Sequence, residues 1–371
     1  MNIPLSQPDI SEAEIDAVAA VLRSSRLSLG PRLEEFESLL SAYVGVQHGI
    51  AVSSGTAALH LCLHALGLGE GDEVIVPSFT FIAAANAIRY VHATPVFVDI
   101  DPTTLNLDPQ RVEDAITPRT RAILIVHTFG YPAEMAALCT IARRHGLLVL
   151  EDACEALGAE YNGQKIGSFG HAAVFAFYPN KQITTGEGGM IVTRDANLAR
   201  DLRALRNQGR YESDDWLQHT RFGYNYRISE INCALGCAQM HRLNSILTQR
   251  ERAARTYDEA FHHGTGITLP PLQARTRRIS WFVYVIRLTE TYTQADRDQV
   301  VRRMADAGIA CGRYFGPIHM QLPYRADPPA HPLPVTEWIS ERTIALPFFN
   351  RITNEEIEHV CERLLYFLHT L

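Results

Sequence analysis

From about residue 47 to 193 short apolar runs alternate with stretches of helical spacing: HGIAVSS then GTAALHLCLHALGL, DEVIVPS then FTFIAAANAIRYVHA, TPVFVDID, RAILIVHTF then AEMAALCTIARRHG, LLVLEDA, AAVFAF and GGMIVT. Near-continuous apolar runs of strand length, separated by helices, predict a mostly parallel sheet covered on both faces. The expected class is α/β, with a large three-layer α/β/α domain. Residues 194–250 turn helical, in ANLARDLRALRNQ and in the long SEINCALGCAQMHRLNSILTQRERAARTYDEAF, where apolar residues recur at i, i+3 and i+4. After the Pro/Gly-marked GTGITLPPL comes an α+β tail: a strand SWFVYVIRL, a helix TQADRDQVVRRMADAG, a loop rich in His, Pro and Tyr, and a last helix NEEIEHVCERLLYFLHTL. Two domains are expected, 1–250 and a smaller 251–371.

The chain has 371 residues, 46% of them hydrophobic, enough to fill two cores. A net charge of −7 without a long basic run speaks against nucleic acid or an anionic membrane as partner. MNIPLSQPDI lacks the basic start and apolar centre of a signal peptide, and no apolar run approaches the roughly 18 residues of a membrane span, so a cytoplasmic protein is expected. The seven cysteines are scattered and contain no C-x-x-C, which predicts neither a disulfide framework nor a metal site.

Four stretches carry candidate chemistry. In AVFAFYPNKQITTGEGGMIV, Lys181 stands among Phe177, Tyr178, Pro179 and Ile183 and before a cluster of glycines. Such surroundings desolvate an amine and favour its neutral, nucleophilic form, although a lysine reaching from a core edge into water fits the stretch equally. SSGTAALHL puts Ser54, Gly55 and Thr56 at a strand-to-helix junction, where backbone N–H groups and the helix dipole suit a phosphate, or merely a capped helix start. In LLVLEDACEALGA, Asp152 closes a strand at the sheet edge where open α/β proteins bind ligands, and a carboxylate there suits a protonated pyridine nitrogen or caps a helix. PSFTFIAA supplies Phe79 and Phe81 at the same edge, either of which could stack on a flat ring or serve as core. Together, an anion site, a stacking ring, a strand-end carboxylate and a desolvated lysine match the needs of pyridoxal 5′-phosphate.

The ordered series SGTAAL, GDEVIVPSFTFIAAANAI, TPVFVDID, EDACEALGA, YPNKQITTGEGGM, GYNYRISEINCALG and LPFFNRITNEEIEHV, over residues 5–368, resembles the DegT/DnrJ/EryC1/StrS aminotransferases. The resemblance implies the pyridoxal-phosphate transferase fold of type I, a homodimer with shared active sites, and amino transfer to nucleotide-linked keto sugars. It implies Lys181 covalently on the cofactor and acting as acid and base, Asp152 on the pyridine nitrogen, Phe81 on the ring, and Gly55 and Thr56 on the phosphate. Asn225 in GYNYR would reach the phosphate in the neighbouring subunit, with Arg227 at the same interface, and His319 in PIHMQ would face the sugar. Arg313 and Arg325 are candidates for the nucleotide diphosphate.

Two positions depart from the family pattern: Ala176 stands where a serine commonly contacts the phosphate, and Glu155 where glutamine or histidine commonly lies beside the ring hydroxyl. A carboxylate there would be repelled, which predicts that Glu155 holds a proton. The expected reaction moves an amino group from L-glutamate to a keto sugar, at C4 of a 4-keto-6-deoxy sugar, because EDACEALGA and NKQITTGEGGM look closest to the 4-aminotransferases. A 3-keto sugar aminotransferase or a non-catalytic protein of the same fold are the alternatives. Sugar dehydratases of the family carry histidine at the lysine position, so Lys181 speaks against that activity.

Overall fold

The structure, a computed structural model, describes residues 1–215, 217–261, 266–271, 276–326 and 329–371. The break GTGITLPPL lies partly outside them. In chain order the described strands are β1 (His48–Val52), β2 (Glu73–Pro77), β3 (Thr94–Val98), β4 (Thr120–Val126), β5 (Leu148–Asp152), β6 (Glu160–Tyr161), β7 (Gln164–Lys165), β8 (Ala172–Ala176), β9 (Gly189–Thr193), β10 (Ile267–Thr268), β11 (Arg277–Arg278), β12 (Tyr284–Leu288) and β13 (Thr343–Leu346).

A seven-stranded sheet runs β1-β9-β8-β5-β4-β2-β3, with β9 antiparallel to both neighbours and the other pairs parallel. β2, β4 and β9 are buried along almost their whole length, as the continuous apolar runs require. The first helix over the sheet covers Gly55–Ala65, and others at Ala83–Tyr90, Met135–His145 and Ala196–Arg206 complete the alternation. The helix Glu230–Ala260 starts at Ser229, whose side chain accepts from Asn232 N. Its Glu230 reaches 200 residues back along the chain to take the backbone N–H groups of Gly30, Arg32 and Leu33, capping the helix Pro31–Val44. At Gly236 the two helices meet so closely that a Cβ would stand 2.7 Å from the Phe36 ring.

This helix changes core as it proceeds. Cys233 to Leu247 pack under the large sheet, whereas Ala253, Ala254 and Tyr257 join a second core with Tyr284, Ile344, Val360 and Leu364. The second core is covered by an antiparallel sheet, β10-β12-β13, and by the helices Gln294–Asp306 and Asn354–His369. The predicted strand SWFVYVIRL becomes a strand only from Tyr284 onward, because residues 280–283 are drawn toward the large domain. There the Arg250 guanidinium, fully buried and pushed down to about 10 by burial, holds the carbonyls of Trp281 (2.6 Å) and Phe282 (2.7 Å).

Two further contacts tie the halves together. Asp99, just beyond β3, accepts from Val335 N, Thr336 N and Thr336 Oγ1 at the start of the helix Pro334–Ser340. Its carboxyl group replaces the capping side chain that Leu333 cannot supply. The exposed edge of the large sheet is closed by side chains: Glu37 accepts from Ala51 N, Arg206 donates to Ala51 O and pairs with Glu37, and Arg203 donates to Gly49 O. An edge occupied in this way offers no free ladder to another strand.

Candidate active site

Lys181 follows β8 in a turn whose backbone closes through Lys181 N to Tyr178 O at 2.9 Å. Its Nζ lies 3.5 Å from Glu155 Oε1 and 3.8 Å from the centre of the Phe282 ring. The flanking aromatics named by the sequence do not form its nest. Phe177 turns into the core against Phe36, and Tyr178 is about half-exposed. The apolar face beside the amine comes instead from Phe282, which Arg250 aims by holding its carbonyl. Gln182 locks the same junction, donating to Glu155 O, Ser280 O and Ser280 Oγ.

Asp152 ends β5 as a buried carboxyl whose Oδ1 accepts from Cys154 N at 3.1 Å. Beside it, the Cys154 thiol is pushed well up by burial and then by the Asp152 charge. Glu155 is buried, and its Oε2 accepts from Phe129 N at 2.8 Å. Burial drives the Glu155 carboxyl above the usual carboxylic range; Lys181 and the Phe129 N–H oppose the shift, and Asp152 adds to it. The sequence predicted a raised value from repulsion by the cofactor's ring oxygen; in the fold burial already raises it, with Asp152 a lesser cause.

At the helix start Ser54 caps through Ala57 N (3.1 Å), while no acceptor among the described residues meets the N–H groups of Gly55 and Thr56. A Cβ on Gly55 would stand 2.7 Å from the Ala176 methyl and 3.3 Å from Cys154 Sγ. Glycine at 55 and alanine at 176 therefore fit each other. Phe79 is fully buried, edge-on to Phe129 and Phe315, whereas Phe81 is 62% exposed with a face free to stack.

The other predicted residues stand apart. Asn225 is exposed on a segment held by Tyr226, whose carbonyl accepts from Ser53 N and whose hydroxyl meets His60 Nδ1 at 3.1 Å. Arg227 bonds Asn207 and Gln208. His319 is buried between Ser78 Oγ (2.7 Å) and Glu337 Oε1 (3.3 Å), where it joins the two halves of the molecule. Arg313 is half-exposed and faces Asp298 at 3.3 Å, and Arg325 is exposed.

A family model, described as the DegT/DnrJ/EryC1/StrS aminotransferase family, matches residues 8–365. The chain belongs to this family. It is 42% identical over 365 residues to the GDP-perosamine synthase of Caulobacter vibrioides, covering 98% of this chain and 97% of that one. Among solved structures it resembles DesV of S. venezuelae in complex with a ketimine intermediate (36% identity, TM-score 0.91, 100% and 99% of the two chains). It also resembles the PLP-form of Spr1654 from Streptococcus pneumoniae (29% identity, TM-score 0.94, 100% and 99%).

This DegT-family chain is thus a sugar aminotransferase, and its cofactor is pyridoxal 5′-phosphate. The residues fit that group: two backbone donors without acceptors at a helix N-terminus, a glycine cradle that a Cβ would fill, a strand-end carboxyl and a lysine. Sequence reading missed Phe282, Phe129 and Tyr314. Tyr314 stacks on Phe282 at 3° and 6.5 Å, and its hydroxyl is raised by burial and then by the Glu155 charge. No local motif marks Phe282 or Tyr314, because they come to the site from the far end of the chain.

A pH test of Glu155 follows. A carboxyl group whose pKa is higher folded than unfolded contributes stability below its unfolded value, and loses that contribution as pH rises through the folded value. Glu155→Gln, which cannot ionise, should therefore gain thermal stability relative to the parent over the span of rising pH that begins at about pH 4. A difference in unfolding midpoint that stays flat over that span would show that Glu155 titrates normally.

Proposed function

We propose that this enzyme transfers an amino group from L-glutamate to C4 of a nucleotide-linked 4-keto-6-deoxy sugar. The observation that carries the reading is the Lys181 amine poised against Glu155, in a chain 42% identical to a GDP-perosamine synthase over nearly its whole length. Pyridoxal 5′-phosphate, when bound, supplies the carbonyl carbon that carries the nitrogen and a ring that accepts electrons. Gly55 and Thr56 would hold its phosphate, Asp152 its ring nitrogen and Phe81 one ring face.

Lys181 Nζ would take the proton from the donor carbon and return it to the acceptor carbon, serving as base and then acid. Glu155 Oε1, 3.5 Å from Nζ, keeps the amine aimed and can share a proton with it. Phe282 and Gln182 restrict the amine's movement and exclude water from one side. We assign Arg313, on the segment that also carries Tyr314, to the nucleotide diphosphate, with Arg227 and His319 supporting the substrate pocket. Asn225, exposed, would complete the phosphate site of a second copy in a cytoplasmic homodimer. Among the described residues no helix is long and apolar enough to cross a membrane.

The reading is tested by incubating holoenzyme and glutamate with a panel of nucleotide-linked 3-keto and 4-keto sugars, and locating the new amine by mass spectrometry and NMR. Amination at C4 of a 6-deoxy sugar is expected, and a product aminated at C3 would refute the assignment.

A further inference from the structure

Asp9 stands in the N-terminal segment ahead of the helix Glu12–Leu22, yet it is buried between the long helix Glu230–Ala260 and residues 350–351 before the last helix. Two buried chains of hydrogen bonds lead from it to the surroundings of Lys181. In the first, Asn350 Nδ2 donates to Asp9 Oδ2 (3.2 Å), Asn350 Oδ1 accepts from Arg250 Nη1 (2.7 Å), and Arg250 Nη2 donates to Phe282 O (2.7 Å). The Phe282 ring is the one centred 3.8 Å from Lys181 Nζ. In the second, Gln239 Nε2 donates to Asp9 O (2.9 Å) and Gln239 Oε1 accepts from Thr184 N (3.3 Å), three residues after Lys181. Gln239, Arg250 and Asn350 are all buried, so each of these groups depends on its protein partner.

The order of partners is fixed by their chemistry. A carboxylate accepts and a guanidinium donates, so the Asn350 amide joins them in one orientation, nitrogen toward Asp9 and oxygen toward Arg250. The other acceptors of Arg250 are the neutral carbonyls of Trp281 and Phe282, and the Asp9 charge opposes the burial that lowers its guanidinium. Burial works against an ionised Asp9 as well, but the Asn350 hydrogen bond and the Arg242 charge hold its carboxyl below the usual range. We propose that Asp9 is a positioning residue of the active site, which through Asn350 and Arg250 holds the Phe282 ring against the Lys181 amine and keeps water from that side of it. Without the carboxylate, the buried guanidinium loses a counter-charge that it senses through one amide, and its grip on the Phe282 carbonyl loosens. A proton carrier displaced by about 1 Å can lose about a hundredfold in rate, which gives a remote hub its leverage. The inference rests on the role given to Lys181 as base and acid, and names what holds that role in place.

The test follows the visible absorbance of the holoenzyme, which needs no sugar. Two rates are read well below each variant's unfolding midpoint: the change on mixing with L-glutamate, which reports proton removal by Lys181, and bleaching by hydroxylamine, which reports access to the amine from solvent. Asp9→Asn removes the charge and keeps the shape, whereas Asn350→Leu removes the relay. Each should slow the reaction at saturating glutamate by about tenfold or more, leave the half-saturating concentration within about twofold, and speed bleaching. In a Phe282→Leu background neither change should slow the reaction further, because the ring on which they act is gone. Arg351→Ala, which takes a mostly exposed partner from the same carboxylate, should keep the parental rate within about twofold. A loss of stability alone would lower the unfolding midpoint with or without Phe282, and could not make the rate effect depend on that ring. Should Asp9→Asn fail to fold, Asn350→Leu carries the test. Parental rates in Asn350→Leu, unchanged bleaching, or slowing that persists in full without Phe282 overturns the proposal. Activity retained by Lys181→Ala would instead refute the role of Lys181, a separate outcome.

Discussion

Replacing Lys181 with alanine should lower amino transfer by about 10⁴-fold or more, since on the proposed reading one atom serves both as the covalent anchor and as the proton carrier. The holoenzyme's visible absorbance, which depends on that anchor, should vanish with the activity. The fold should persist: the amine contacts Glu155 and the face of Phe282, and neither contact belongs to a ladder or a helix cap. Unfolding midpoints near those of the parent would verify this, and transamination retained by the variant would refute the role. The same protein tests the shared site. Mixed with Asn225→Ala after dissociation and reassociation, it should regain on the order of a quarter of parental activity, because half of randomly paired dimers are hybrids with one intact site each. No recovery in hybrids shown to form would place Asn225 outside its neighbour's site.

Glu151→Ala should be the most damaging change outside the catalytic residues, costing about 3–5 kcal/mol. The side chain is fully buried beside Asp152 and accepts from Gly167 N, Phe169 N and Gly170 N. Ala133 N donates to His127 Nδ1, so the ring proton sits on Nε2 and points at Glu151 Oε2, 3.3 Å away. Alanine leaves all four donors without an acceptor in a space water does not reach. The unfolding midpoint should fall by on the order of 10 °C. Glu151→Gln, which keeps one acceptor oxygen, should lie between the two. A loss under about 1 kcal/mol for the alanine variant would mean that water or neighbouring groups take over these donors.

Much of the candidate site could be read from the chain because each part is a local device. Gly55 and Thr56 begin a helix directly after a strand, Asp152 ends a strand, and Lys181 follows one; in a parallel sheet those ends meet at one edge whatever the loops do. The surroundings of Lys181 could not be read in this way. Its neighbours in sequence promised an apolar nest, yet Phe177 serves the core and Phe282, a hundred residues on, covers the amine. SWFVYVIRL looked like one strand because period-two patterning cannot show that a buried arginine will pull its first residues out of the sheet. His319 likewise reads as a polar residue in a loop, and only the packed domains make it a link between Ser78 and Glu337.

The sequence by itself determined the layered α/β architecture, the family, the cofactor and the residues at the strand ends, since these follow from hydrophobic period, chain order and short motifs. Only the tertiary structure decided which ring faces the lysine and how burial raises the Glu155 carboxyl above its ordinary range. Those outcomes depend on burial and on contacts between residues far apart in the chain, and desolvation has no value until the fold has closed around the group.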